Sequence, residues 1–119
     1  MKERSERRKE RREKVMAFTQ VYDKDKGMLL GHIRDLTQQG ALVIGEQALD
    51  VNTQIALTIE LPGGLPGVSA THMTISARVV YCEEDESSQT YKTGFEFIGL
   101  KPEQSEHIQA LLERYRFHQ

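Results

Sequence analysis

A single cysteine, Cys82, stands in a chain of 119 residues that has no tryptophan and only three prolines. One cysteine excludes an internal disulfide framework and fits a reducing cytoplasm. No run of 18 or more apolar residues occurs, which excludes a membrane-spanning helix. The Lys/Arg/Glu-rich start has no apolar stretch behind it, so no secretory signal is expected. Catalytic signatures are missing as well: there is no G-x-S-x-G elbow, no P-loop and no G-x-G-x-x-G turn. His32, His72, His107 and His118 are widely separated, without H-x-x-x-H or C-x-x-C spacing, so no metal site and no cofactor are indicated. Cys82 has a structural reading, and the carboxylate run Glu83–Glu86 reads as a solvated hairpin tip. These absences point away from an enzyme and suit a small, soluble protein of the cytoplasm, without naming a function.

The charge is unevenly spread. The whole chain carries a net −2, with 38% apolar and 29% charged residues and a mean hydropathy of −0.55, which suits one domain with a modest core. Residues 1–14 hold eight Lys/Arg against four Glu, a net of +4, while the other 105 residues hold eight Lys/Arg against fourteen Asp/Glu, a net of −6. The first segment has no strongly apolar residue after Met1, so it has no face to bury. Its i,i+4 charge pairs, such as Glu3–Arg7, give only about 0.2–0.5 kcal/mol each, too little to hold an isolated helix of this length. The expectation is a flexible basic arm over residues 1–14 and one domain over residues 15–119. The acidic body makes long nucleic acid an unsuitable partner.

Beyond Lys14 the apolar pattern takes period two. Strands are expected at 15–22, 28–37, 41–44, 54–61, 71–82 and 90–99, with turn signals between them at 24–27, 38–40, 62–67 and 83–89. The plainest alternation is Ile55, Leu57, Ile59 and Leu61. A longer one runs Met73, Ile75, Ala77, Val79 and Tyr81. Pro102 then suits a first helical position, and Ile108, Leu111, Leu112 and Tyr115 recur at helical spacing. The reading is an all-β-dominated domain, a six-stranded antiparallel barrel with one end closed by a C-terminal helix at about 102–116.

Two elements have chemistry suited to a nucleotide. The arm contains three overlapping R-x-x-x-R pairs, Arg4/Arg8, Arg7/Arg11 and Arg8/Arg12. A guanidinium pairs bidentately with phosphate, meets guanine O6 and N7, and stacks on a base. The second element is Asp35-Leu36-Thr37-Gln38-Gln39-Gly40. Asp35 and Thr37 alternate at a strand end and so point the same way, and Gly40 permits a tight turn. A carboxylate accepts from guanine N1–H and N2–H₂, and a hydroxyl donates to phosphate; the same string also suits an ordinary Asx-type turn.

In this order, the arm, the first strand and the D-x-T-x-x-G turn resemble the PilZ domain family. Glu6-Arg7-Arg8-Lys9-Glu10-Arg11-Arg12 is similar to the family's E-R-R-x-x-x-R opening, with its pair on Arg8 and Arg12, and Gly94-Phe95-Glu96-Phe97 is similar to its G-x-x-F strand. The resemblance implies a six-stranded barrel that acts as a receptor for cyclic di-GMP, a bacterial second messenger. It implies that Arg8 and Arg12 clamp phosphates and guanine, that Asp35 bonds a guanine, that Thr37 assists, and that Gly40 lets the backbone turn beneath the ligand. Thr37 stands where the family usually has Ser, and Glu13 and Lys14 separate Arg12 from the strand, so Arg7 and Arg11 remain a second clamp register. The expected output is ordering of the arm, read by a separate protein partner. Two other classes stay open, a single-stranded nucleic-acid binder of OB type and a ligand-independent protein-interaction module.

Overall fold

The computed structural model describes residues 19–116, the side chains of residues 115 and 116 excepted. The expected arm, the Arg7, Arg8, Arg11 and Arg12 candidates, residues 15–18 of the first strand and the Tyr115 side chain lie outside the described residues. Six strands follow in order, β1 (Gln20–Asp23), β2 (Met28–Leu36), β3 (Gly40–Gly45), β4 (Gln54–Glu60), β5 (His72–Asp85) and β6 (Thr90–Ile98), then one helix, α1 (Pro102–Arg116). They form a closed barrel in the order β1-β2-β3-β6-β5-β4. Every pairing is antiparallel, and β1 closes the ring on β4 through Val21↔Ile59. Closure gives every strand a neighbour on both sides, so the barrel has no edge strand of the kind an open sheet exposes. No helix among the described residues is long and apolar enough to cross a membrane.

The alternation seen in the sequence fills the barrel. Val21, Ile33, Leu57, Ile59, Ala77 and Val79 point inward and are wholly buried. Helix α1 covers one end, adding Ile108 and Leu111 to the same core. Each fully buried Ile or Leu contributes about 1.5–3 kcal/mol relative to exposure. Pro102 opens the helix as its chemistry requires, and Gln104 reaches back so that its Oε1 accepts the Lys101 N–H at 2.7 Å, one half of a capping box. Further along, Arg114 donates to the Gly63 carbonyl oxygen at 3.3 Å, tying α1 to the β4–β5 loop.

Two expectations need correcting. The acidic run was expected as a loop from residue 83, yet β5 continues to Asp85 through Glu83↔Lys92, Glu84↔Tyr91 and Asp85↔Thr90. Lys92 opposite Glu83 makes the extension a favourable cross-strand charge pair. Asp85 then caps the turn, accepting from the Ser87 hydroxyl at 2.7 Å and its N–H at 3.1 Å. Second, Tyr81 does not share the inward face of Val79. The β5–β6 register slips between Val79 and Tyr81, and the extra residue turns Tyr81 outward, leaving it 41% exposed.

Candidate functional site

Two bulges shape one patch of the outer wall. On β2 the register to β3 passes from Ile33↔Val43 to Asp35↔Leu42, so Arg34 is an extra residue. Arg34 and Asp35, though adjacent in sequence, are both exposed. On β5 the matching slip leaves Val80 43% and Tyr81 41% exposed side by side. A bulge re-aims side chains in this way because two residues oppose one. Between the bulged strands lie β3 and β6. The cross-strand row Asp35–Leu42–Gly94–Tyr81 therefore runs over four strands. A second row, Gly40–Glu96–Arg78, lies beside it.

These rows enclose an open groove of about 350 Å³, lined by Asp35, Thr37, Gly40, Tyr81, Gly94 and Glu96 among others. Its floor is low because two lining positions are glycine. The Tyr81 ring lies across Gly94, occupying the space that a Cβ there would need. A Cβ on Gly40 would run into the carbonyl oxygen of Phe95 on β6. Close strand approach by itself therefore demands glycine at position 40.

Thr37 organises the turn at the groove's end. Its Oγ1 accepts the N–H groups of Gln39 at 3.1 Å and Gly40 at 3.2 Å, while its own N–H donates to the Gly40 carbonyl at 2.9 Å. The ordinary turn role weighed for this motif is thus real. Among the described residues the hydroxyl proton has only a long 3.5 Å contact, with the Gly40 carbonyl oxygen, so it can be redirected outward at little cost. Gln39 anchors the turn to β6 by accepting the Phe97 N–H at 2.8 Å. Gln38 faces α1 instead, where it bonds Ser105.

Glu96, which lines the groove from β6, belongs to an ion pair. Arg78 donates from Nε and Nη2 to Glu96 Oε1, at 3.2 and 2.7 Å, and from Nη1 to Asn52 Oδ1 at 2.8 Å. The two side chains are 41% and 51% exposed. The structure thus gathers Asp35, Thr37 and Gly40 at one groove. It adds Tyr81, Gly94 and Glu96, to which the sequence assigned strand positions but no ligand contact. A signal was available for two of them. Val79-Val80 interrupts strict alternation just before Tyr81, and a glycine inside a strand marks a bulge or a close approach.

The sequence matches the model of the PilZ domain over residues 6–114. The chain belongs to the PilZ family. Its barrel is similar to the PilZ domain with c-di-GMP of YcgR from Escherichia coli, with a TM-score of 0.60 and 14% identity, covering 83% of this chain and 82% of that one. It is also similar to the inhibitor of motility MotI/DgrA of Bacillus subtilis, with a TM-score of 0.62 and 16% identity, covering 83% of this chain and 46% of that one. At these identities the likeness is one of fold. No curated protein matches the sequence. The PilZ match takes in the arginine-rich segment and the D-x-T-x-x-G turn together.

Proposed function

We propose that this PilZ domain is a bacterial cytoplasmic receptor for cyclic di-GMP and works by binding rather than catalysis. The observation that carries the reading is the meeting of Asp35, Thr37 and Gly40 with the Tyr81 ring at a single groove, in a chain whose family match includes the arginine arm. In this reading residues 1–14 are an arm appended to the barrel domain of residues 15–119. Asp35 accepts from a guanine Watson–Crick edge, Thr37 donates to a phosphate or base, and Tyr81 offers an aromatic surface on which a base stacks for about 1–3 kcal/mol. Arg8 and Arg12 clamp phosphates and guanine, with Arg7 and Arg11 as the alternative register.

Reach and charge support the same assignment. Thr19 accepts the Ile33 N–H at 3.0 Å, two residues from Asp35. Extended chain covers about 3.3 Å per residue, so the seven residues back to Arg12 span roughly 23 Å, ample for the groove. The groove itself presents carboxylates, so its affinity for a dianion must come from the arm, whose net charge is +4. Ordering five to eight arm residues costs about 1–2 kcal/mol each, which charge-assisted bonds of about 1.5–3 kcal/mol and base stacking offset. The ordered arm is then the signal a separate protein partner reads.

Isothermal titration with cyclic di-GMP tests this. Binding is expected for the native chain, and Arg8→Ala, Arg12→Ala and Asp35→Ala should each remove most of it. No binding by the native chain would leave the protein-interaction module, and tight binding by the double arginine variant would overturn the clamp.

A further inference from the structure

We infer that Glu96 is a second base-reading carboxylate, accepting the N1–H and 2-amino edge of a guanine seated against Tyr81; the inference rests on the cyclic di-GMP reading and deepens it. Asp35 comes from β2 and Glu96 from β6, and both line the same groove. Glu96 stands two residues along β6 from Gly94, the residue covered by the Tyr81 ring. At about 3.3 Å per residue, that separation matches the breadth of a purine. A base stacked at Tyr81 thus brings its edge to the Glu96 carboxylate.

The ion pair equips Glu96 for this task. Arg78 directs both of its contacts to Oε1, and Oε2 accepts from no described residue. Oε1 is held by Arg78, which leaves the lone pairs of Oε2 for the donors of a ligand. Arg78, itself held by Asn52, also neutralises the carboxylate. An anionic dinucleotide therefore meets an oriented acceptor without the repulsion an unpaired carboxylate would add. Guanine offers two adjacent donors to a carboxylate, whereas adenine offers the N1 acceptor beside its amino group and suits an amide. The groove then demands guanine at both bases, one read by Asp35 and one by Glu96.

The test compares cyclic di-GMP with cyclic GMP–AMP by isothermal titration, using the full chain and the Glu96→Gln and Glu96→Ala variants. Glu96→Gln should weaken cyclic di-GMP about tenfold and leave cyclic GMP–AMP nearly unchanged, so the ratio of affinities falls about tenfold. A ratio equal to that of the native chain, in a variant that still binds, overturns the role of Glu96 and leaves the receptor reading intact. Failure of the native chain to bind either dinucleotide overturns both. Melting curves check folding, and the native complex gives a second measurement by NMR. A nuclear Overhauser contact between the Glu96 Hγ protons and a guanine imino or amino proton is expected, and its absence counts against the proposal.

Discussion

Gln38 and Ser105 exchange two hydrogen bonds across 67 residues of chain: the Ser105 hydroxyl donates to Gln38 Oε1 at 2.9 Å, and Gln38 Nε2 donates to the Ser105 carbonyl at 3.2 Å. This pair joins the turn carrying Thr37 and Gly40 directly to α1. Events in the groove thus have a short physical route to the helix. Gln38→Ala should lower stability by about 1 kcal/mol. It should also leave ligand affinity near native while abolishing ligand-induced protection of α1 amides. Hydrogen exchange over residues 105–112, with and without cyclic di-GMP, reads the difference. Equal protection in variant and native chain would break the proposed link.

The two groove glycines should respond unequally to alanine. At position 40 the new methyl meets the Phe95 carbonyl oxygen, which belongs to a paired strand and has nowhere to go. A cost of about 3 kcal/mol is expected in urea titration. At position 94 the obstacle is the Tyr81 ring, an exposed side chain able to swing aside. Gly94→Ala should therefore cost less in stability and show chiefly as displacement of Tyr81. Similar losses at both positions would contradict this reasoning.

Thr37 separates turn-building from ligand chemistry. Its Oγ1 holds two backbone N–H groups, so Thr37→Val should cost about 1–2 kcal/mol by leaving them unpaired. Thr37→Ser keeps the oxygen and should keep both the turn and the affinity. Chemical denaturation of the two variants beside titration with cyclic di-GMP distinguishes the effects. A serine variant that loses binding would show that the methyl, not the hydroxyl, matters.

Acid should weaken the β5–β6 hairpin specifically. The Ser87 hydroxyl bonded to Asp85, opposed by burial and joined by the Ser87 N–H and by Ser88, holds the carboxyl below its ordinary value of 3.8. A depressed folded-state pKa means stability that is present above the unfolded value and lost as pH falls through the folded one. Asp85→Asn should thus be the less stable protein near neutral pH, with the gap closing below about pH 4. Urea midpoints measured across that range check the sign, and a gap that widened in acid would reverse it.

Local pattern determined much of this protein. Alternation of Ile55, Leu57 and Ile59 named a half-buried strand, Pro102 and the Ile108–Leu111 spacing named the helix, and the string from Asp35 to Gly40 named a turn with its carboxylate and hydroxyl on one side. Such features depend on neighbours a few residues apart, and the backbone periods of strand and helix express them directly. Tertiary structure decided the rest. Whether Tyr81 faces in or out depends on one residue of slip between β5 and β6, and a slip of one reverses the face of a side chain. The same holds for Arg34 beside Asp35. Glu96 joins Asp35 only because β3 and β6 pair in the closed barrel. Residue types told of a nucleotide, but inter-strand register built the groove that would hold it.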